Sequence, residues 1–458
     1  MSSEIIGLIM LGVMLFAIFI GFPISFTLIF LGTVFGFWGL TDDQFSLKNM
    51  DFTSYLEALQ ISSVMMEQTL SAVPLFIFMG ILMEQAGLME RLFTAVQLML
   101  SRVKGSLYIA VLFVSTIFAA ATGIVGASVT ILGIMAAKTM NQSGYDVRLS
   151  AGAITAGGTL GILIPPSIML VVMGPILEVP VIDLFAAAII PGMLMAFLYV
   201  AYALIRCQIN PSLGPALPEE FRASSYWIII REFLLGLLPP SILVGFALGS
   251  ILFGLATPTE GAAVGAFGAF LLTLLYRKFT FKGLSNAVIK TLEISVLILF
   301  LVAASNFFGA VFSKLGTPGM MTEFLLDMEL SPYATLLIIM ALIFLLGWPL
   351  EWVPIVLIIV PILLPLVREL EFTGTLADMN NRLTWFGILV AVNLQTAWLS
   401  PPVALSAYFL KGVVPEWDLK DIYIGMMQFM VIQLLGLVLI IAFPQIALWL
   451  PAYFDANR

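Results

Sequence analysis

The 458-residue chain contains no histidine and a single cysteine, Cys207. One cysteine excludes an internal disulfide and a cysteine metal cluster, and the lack of histidine excludes histidine metal sites and histidine proton relays. The same two absences leave no nucleophile–base pair for catalysis. The sequence also has no G-x-x-x-x-G-K-[ST] motif, which excludes ATP hydrolysis of the P-loop kind by this chain. We therefore do not expect an enzyme.

Charged residues are also few: they make up only 10% of the chain, whereas 61% of the residues are hydrophobic. Soluble domains are about half apolar and about a quarter charged. Apolar runs such as residues 5–20 and 424–443 are long enough to cross most or all of a ~30 Å hydrocarbon core at 1.5 Å per residue. The first run lacks a basic leading region and an A-x-A-like end, so we expect it to remain as a span. These features predict an all-α, polytopic membrane protein.

The order of spans and breaks occurs twice along the chain. Pro23 corresponds to Pro258 at an offset of 235 residues, and Pro165-Pro166 corresponds to Pro401-Pro402 at an offset of 236. Two proline features at nearly one offset, with similar hydropathy between them, predict an internal structural repeat. We assign residues 1–206 and 231–458 to the two repeats, each with scaffold spans, an arm helix, a hairpin and a broken helix. The proline-rich residues 207–230 are the predicted cytoplasmic linker.

Charge indicates how the repeats are oriented. The loop after the second span is mostly acidic in the first half and its counterpart is basic: Asp42, Asp43, Lys48 and Asp51 against Arg277, Lys278, Lys282 and Lys290. Cytoplasmic loops carry an excess of Lys and Arg, so the two loops are expected on opposite sides of the membrane. This predicts an inverted repeat with both chain termini on the outer side.

Residues 107–140 form an apolar segment that is too long for one straight span. Small and hydroxyl residues interrupt it at Thr122, Gly123, Gly126 and Ser128. The glycines permit a tight turn, and the hydroxyl oxygens can cap a helix or contact a cation. We interpret the segment as a re-entrant hairpin with its tip here, the alternative being a small-residue contact between helices.

The next apolar segment, residues 149–174, is interrupted by glycines and a proline pair. Its predicted site residues are Gly158, Thr159, Gly161, Pro165 and Pro166. The two prolines lack amide hydrogens, so carbonyls one turn earlier lose their partners. Non-helical backbone inside a membrane must be buried in protein or line a cavity. We therefore interpret the segment as a discontinuous, ion-binding helix, the alternative being a structural kink.

The second half contains a matching hairpin tip at residues 346–354, with Gly347, Glu351 and Pro354 as predicted site residues. A carboxylate in an apolar hairpin costs roughly a few kcal/mol unless it is paired or hydrated. Glu351 can be a cation ligand, a protonatable group or a cap on the second helix of the hairpin. We favour the first two roles.

The second broken helix carries neutral oxygen donors before its own proline pair. The predicted site residues are Asn393, Gln395, Thr396, Ser400, Pro401 and Pro402. Such oxygens suit a hard cation such as Na⁺ rather than a transition metal. The sequence thus predicts two sodium and substrate sites, one in each half, and no organic cofactor.

A different role is expected for the sequence Thr257-Pro258-Thr259-Glu260. A threonine followed three residues later by glutamate, with proline at the first helical position, is the signature of a capping box. We interpret Glu260 as structural.

Several of these stretches together resemble a known family. Residues 156–168 (AGGTLGILIPPSI), Val73-Pro-Leu-Phe, residues 256–261 (ATPTEG) and residues 393–402 are similar to the large membrane subunit of TRAP (tripartite ATP-independent periplasmic) transporters, and the likeness covers the whole chain. The resemblance implies an elevator-type transport domain of the ion transporter superfamily in the bacterial inner membrane, driven by a sodium gradient. It also implies two partners, a small four-helix membrane subunit and a periplasmic substrate-binding protein that delivers an organic acid.

The chain departs from the family pattern at the second site. Glu351-Trp352-Val353 stands where the family usually has an aspartate and two small hydroxyl residues. Gln395 replaces an acidic residue, and Ser400 replaces a threonine.

Three tryptophans bear on the transported compound. Trp348, Trp352 and Trp398 are similar to those of a subgroup associated with 2-oxoacids and other monocarboxylates. The alternative within transport is a stand-alone ion-coupled carboxylate or anion carrier of the same hairpin superfamily. A different class would be a channel or the permease of an ATP-driven system.

Overall fold

The structure is a computed structural model that describes residues 2–40, 46–122, 125–217, 226–348, 350–401 and 404–456. These residues form helices and turns and contain no strand. Eight of the helices are long and apolar enough to cross a membrane. The prediction of an all-α polytopic membrane protein is confirmed.

The helices of the two halves are labelled in chain order. The first half contains α1 (Ser3–Ile20), α2 (Ile24–Gly39), α3 (Leu47–Met66), α4 (Ala72–Gln85), α5 (Leu88–Met99), α6 (Ser106–Thr122), α7 (Val125–Gln142), α8 (Val147–Thr159), α9 (Ile168–Leu177) and α10 (Val181–Ile209). The second half contains α11 (Tyr226–Leu252), α12 (Pro258–Leu275), α13 (Phe281–Lys314), α14 (Thr317–Leu326), α15 (Pro332–Gly347), α16 (Trp352–Pro354), α17 (Val360–Glu369), α18 (Met379–Gln395), α19 (Leu405–Val413), α20 (Leu419–Ala442) and α21 (Gln445–Asp455).

The scaffold helices turn where the sequence has glycine or a cap. Gly21, with φ of 96°, ends α1 in the left-handed region that favours glycine. At the start of α12 the Glu260 amide donates to Thr257 Oγ1 at 3.2 Å, and the Thr257 amide donates to Glu260 Oε2 at 2.8 Å. The predicted capping box is therefore confirmed. Helix α12 packs on α4, and α13 packs on α2, α3 and α4.

The two hairpins have their bases at opposite ends of α10, which has 29 residues and is ~43 Å long at 1.5 Å per residue. The base of the first hairpin lies beyond the end of α10, where Tyr108 donates to the Leu213 carbonyl at 2.6 Å. The base of the second lies near the start of α10, where Arg368 pairs with Glu178 at 2.7 Å. An inverted repeat requires this arrangement, while the membrane side of each end stays a prediction.

Four helices differ from the predicted spans. Helix α13 is one continuous helix of 34 residues instead of an arm helix and a separate span, because residues 281–314 contain no proline to stop it. The short helices α5 and α14 were not predicted. The last span ends at Ala442, and α21 begins after Pro444 as a separate helix.

Candidate functional site

The predicted interruptions coincide with ends of helices in the structure. In the first hairpin, Ser106 Oγ lies 3.2 Å from the Tyr145 hydroxyl, so the chain reverses between α6 and α7. Three further interruptions are visible directly: α8 ends at Thr159 and α9 begins at Ile168, α15 ends at Gly347 and α16 begins at Trp352, and α18 ends at Gln395 and α19 begins at Leu405. Each break leaves helix ends and unpaired backbone groups inside a segment of membrane-spanning composition.

The first broken helix is interrupted by a 3₁₀ turn and a proline pair. A 3₁₀ turn, Leu160–Ile162, follows α8. Because Pro165 and Pro166 have no amide hydrogen, the carbonyls of Gly161 and Ile162 have no amide donor four residues later. The Ser167 hydroxyl donates to the Ile162 carbonyl at 2.6 Å. The carbonyl of Gly161 is therefore one of the backbone oxygens at this break that lack an amide donor four residues later.

The second broken helix is built in a similar way. A 3₁₀ turn, Thr396–Trp398, follows α18, and Pro401 comes directly after Ser400. The hydroxyls of Thr396 and Ser400 donate to the carbonyls of Asn393 and Thr396, both at 2.6 Å. Each hydroxyl proton is thus donated to a backbone carbonyl, and the lone pairs of each hydroxyl oxygen can still accept a hydrogen bond or contact a cation. Pro402 lies outside the described residues.

The two predicted sites meet at Thr159. Gln395 donates from Nε2 to the Thr159 carbonyl at 3.3 Å, and Gln433 of α20 donates to Thr159 Oγ1 at 3.2 Å. Positions 159 and 395 are separated by 236 residues, the offset that relates the two proline pairs. The breaks of the two halves are therefore in direct contact.

Several polar atoms at this meeting point have no hydrogen-bond partner within the described residues. We call Thr159, Tyr199, Gln395 and Gln433 the central polar cluster; all four residues are fully buried. The Tyr199 hydroxyl lies beside Gln433 and Thr159, yet within the described part of the chain it makes no hydrogen bond, and neither does Oε1 of Gln395 or Gln433. An unsatisfied buried oxygen costs ~1–3 kcal/mol, so these three oxygens are suited to a ligand that the chain itself does not provide.

Asn393 faces the second hairpin instead of the central polar cluster. Its Nδ2 donates to the Met340 carbonyl of α15 at 2.7 Å, and its Oδ1 has no partner among the described residues. Asn393 and Gln395 are two positions apart on α18, which directs their side chains to nearly opposite faces of the helix.

Tyr199 and Gln433 are not among the site residues predicted from the sequence. An amide inside an apolar span is costly in lipid and is a signal for a buried contact, so the position of Gln433 within residues 424–443 could have indicated it. Tyr199 carried no such signal, because tyrosine occurs commonly in membrane spans as a packing residue.

Close packing at glycines holds the first hairpin against both broken helices. A Cβ on Gly126 would lie 2.8 Å from Cζ of Phe409 on α19. Gly158 of α8 faces Val129 of α7 in a similarly close approach. Ser128 is buried on α7. Gly123 and the side chain of Thr122 lie outside the described residues.

The tip of the second hairpin faces the second break. A Cβ on Gly347 would lie 3.2 Å from Cβ of Ala397. Glu351 occupies the N-cap position of α16, but its side chain makes no capping hydrogen bond, so the capping role is not supported. Pro354 is buried and precedes an unpredicted π-helical turn, Ile355–Ile359.

A cavity of about 550 Å³ lies in front of the second hairpin tip. Its walls come from the turn between α1 and α2, the middle of α13, the hairpin tip and the second break. Glu351 is the one ionisable side chain among the described residues that line it. The cavity is large enough for a small organic molecule.

Comparisons with known proteins agree on one family. The family model described as "Tripartite ATP-independent periplasmic transporter, DctM component" matches residues 11–446. The C4-dicarboxylate TRAP transporter large permease protein DctM of Pseudomonas aeruginosa is 30% identical over 392 residues, which cover 85% of this chain and 87% of that protein. The sialic acid TRAP transporter large permease protein SiaM of Vibrio cholerae is 28% identical over 440 residues, or 95% and 96% of the two chains.

A third relative and a solved structure extend the comparison. The 2,3-diketo-L-gulonate TRAP transporter large permease protein YiaN of Escherichia coli is 29% identical over 411 residues, which cover 89% of this chain and 90% of that protein. The crystal structure of the YdaH transporter of Alcanivorax borkumensis superposes with a TM-score of 0.62 at 14% identity, over 91% of this chain and 95% of that one. At that identity the likeness concerns the fold alone.

Proposed function

The chain belongs to the DctM component family of tripartite ATP-independent periplasmic transporters, and on that premise we propose that this large permease imports a small organic acid by using the sodium gradient across the bacterial inner membrane. The observation that carries the proposal is the contact of Gln395 and Gln433 with Thr159 between the two broken helices. This contact joins the two halves through Gln395 and Gln433, whose Oε1 atoms have no hydrogen-bond partner among the described residues.

The chemistry of the central polar cluster fits sodium. Na⁺ is a hard cation and prefers neutral or anionic oxygen ligands. The oxygens available are two amide oxygens, the Tyr199 hydroxyl and the lone pairs of Thr159 Oγ1. The Gly161 carbonyl at the adjacent break is a further candidate. Neutral ligands leave the positive charge of the ion uncompensated, so its binding favours an anion nearby.

Glu351 and Asn393 support a second sodium position near the second hairpin. Asn393 contributes an unpaired Oδ1, and the Glu351 side chain contacts the cavity without a cap or a cationic partner among the described lining residues. A carboxylate in such a place is stabilised by a bound cation. Glu351 therefore substitutes, in this proposal, for the aspartate that the family usually has.

The substrate class rests on the relatives and on the cavity. The relatives are named for C4-dicarboxylate, sialic acid and 2,3-diketo-L-gulonate. The three tryptophans favour a 2-oxoacid or another monocarboxylate for this chain. Trp348 and Trp398 line the cavity, and Trp352 is buried beside it in α16.

The proposed partners are the small four-helix membrane subunit and a periplasmic binding protein that delivers the acid. The word tripartite in the family description supports a three-component system. In an elevator-type cycle the hairpins and broken helices, which pack on one another, would move together past the scaffold helices α1, α2 and α13. Both chain termini are proposed to face the periplasm.

The test is uptake into proteoliposomes that contain this chain and its small subunit, with the loaded binding protein outside. We expect uptake of a radiolabelled organic acid only with an inward sodium gradient and all three components. Equal uptake with choline in place of Na⁺ would overturn the coupling. Full uptake without the binding protein and the small subunit would favour a stand-alone carrier of the same superfamily.

A further inference from the structure

The cavity beside the second hairpin is lined almost entirely by apolar residues. Of its twenty lining residues, Ser25 and Glu351 are the ones with a hydroxyl or charged side chain. Five aromatic rings contribute to the lining: Phe22, Phe26, Phe300, Trp348 and Trp398. Phe26 of α2 and Phe300 of α13 meet edge to face with ring centroids 5.5 Å apart. Such walls gain most from contact with an apolar group.

The charge at the cavity restricts the number of carboxylates that it can hold. The described lining residues include no lysine and no arginine, while Glu351 contributes a negative charge when ionised. A carboxylate buried against apolar walls without a cation or a hydrogen-bond donor is strongly disfavoured. A substrate with a second carboxylate would place one of its charges in such surroundings.

One carboxylate does have donors available at the edge of the cavity. Pro23, Ile24 and Ser25, at the N-terminus of the 16-residue helix α2, line the cavity. First-turn amides of a helix have no intrahelical acceptor, and the helix dipole favours an anion there. Trp398 is 9% exposed, lines the same cavity, and its indole N–H has no acceptor among the described residues. These donors suit the head of one acid.

We propose that the substrate is an amphipathic monocarboxylate, with one acid group and a branched-alkyl or aromatic tail that contacts the aromatic rings of this cavity. The inference rests on the proposed function and narrows the substrate class. It also separates this chain from relatives that are named for a C4-dicarboxylate or a sugar acid. Trp348, which is 36% exposed and packs its ring on Phe344, is the proposed specificity-determining residue.

The test measures binding by the membrane complex without the binding protein, so that selection by that protein does not contribute. This chain and its small subunit are placed in nanodiscs in NaCl and titrated calorimetrically with three acids that share one head group. The probes are pyruvate, 4-methyl-2-oxopentanoate and 2-oxoglutarate. The last two are close in size. They differ mainly at the end away from the shared head group, which is a branched alkyl group in 4-methyl-2-oxopentanoate and a second carboxylate in 2-oxoglutarate.

We expect 4-methyl-2-oxopentanoate to bind at least about tenfold more tightly than either other acid, since each added buried carbon contributes to the apolar contact. Trp348→Ala should weaken its binding by about tenfold and leave the binding of pyruvate nearly unchanged. The control is Trp449→Ala, which removes an exposed tryptophan on α21 and should change neither.

Three results would overturn the inference: tighter binding of 2-oxoglutarate, equal weakening of all probes by Trp348→Ala, or no binding of any probe. The proposed function is judged separately, by reconstituted uptake. Sodium-driven uptake of 2-oxoglutarate in preference to 4-methyl-2-oxopentanoate would leave the transporter proposal standing and exclude the amphipathic substrate. Absence of sodium-driven uptake for every organic acid would remove the transporter proposal itself.

Discussion

At the scale of single residues, Gln395 connects the two halves of the molecule through the central polar cluster. Gln395 stands where the family usually has an acid, and its amide hydrogen is donated to the Thr159 carbonyl. Its Oε1 has no hydrogen-bond partner in the part of the chain that the structure describes. A carboxylate in this place could not donate to a carbonyl unless it were protonated. The amide therefore links the two halves and, in the proposed sodium site, offers an oxygen to the cation.

The first prediction concerns Gln433. Gln433→Leu removes one donor to Thr159 and one unpaired oxygen, so the sodium concentration for half-maximal uptake should rise about tenfold, as expected for the loss of a contact that contributes ~1–3 kcal/mol. The measurement is the sodium dependence of reconstituted uptake. Gln445→Leu, at an exposed glutamine on α21, is the matched control and should behave as the wild type. An unchanged sodium curve in Gln433→Leu would exclude this side chain from the ion site.

At the scale of helices, close backbone approach brings the cluster together. Helices α8 and α20 meet at Gly152 and Gly425, where a Cβ on Gly152 would lie 2.5 Å from the Gly425 carbonyl oxygen. Thr159 and Gln433 lie about two turns further along the same two helices. The glycine contact thus sets the distance between α8 and α20 that allows the Gln433–Thr159 hydrogen bond.

The second prediction follows from this contact. Gly152→Ala should force α8 away from α20 and lower the free energy of unfolding by ~1–3 kcal/mol, the usual cost of overpacking. It should also impair uptake, because Thr159 and Gln433 separate. The matched control is Gly309→Ala in α13, where an added Cβ meets nothing within 4 Å; this change should be neutral or stabilising by up to ~1 kcal/mol. The measurement is the midpoint temperature of thermal unfolding of the two purified variants. Equal midpoints would contradict the claim that close packing at Gly152 stabilises the contact of α8 with α20.

At the scale of the whole molecule, polar contacts divide between two ends. Arg148 pairs with Asp421 at 2.8 Å at the end that also holds the base of the first hairpin. Arg368 and Glu178 pair at the other end, where Arg382 donates to the Arg368 carbonyl at 2.8 Å. Arg148, and Arg206 in the last turn of α10, lie at the first end, and the positive-inside rule predicts that an end with such basic residues faces the cytoplasm.

The third prediction assigns these ends to sides of the membrane. Cys207 is buried, so Cys207→Ser provides a background without thiols. In that background, Asp327→Cys should react with a membrane-impermeant maleimide in spheroplasts, and Lys278→Cys should react only after lysis. Both positions are exposed and lie beyond opposite ends of α13. The reverse labelling pattern would invert the proposed topology.

Much of the architecture could be predicted from the chain alone, because the membrane leaves few alternatives. Backbone groups in lipid must be paired within a helix, so hydropathy indicated the spans, and Gly, Pro and hydroxyl clusters indicated the breaks at residues 159–168 and 395–405. The exceptions were α5, α14, α21 and the continuous α13. Whether a helix continues through a polar stretch depends on what packs against it, which local sequence does not specify.

For the candidate site, too, the residues could be predicted from the sequence, whereas their contacts could not. The sequence alone predicted Thr159, Gln395 and Glu351 as candidate site residues, since polar groups and missing amides in apolar segments are costly wherever the chain folds. Tertiary structure alone decided that Gln395 and Gln433 both contact Thr159, that Tyr199 joins them, and that a wall of aromatic rings surrounds the cavity beside Glu351. These contacts join residues up to 274 positions apart, and such pairings depend on how helices cross rather than on any local pattern.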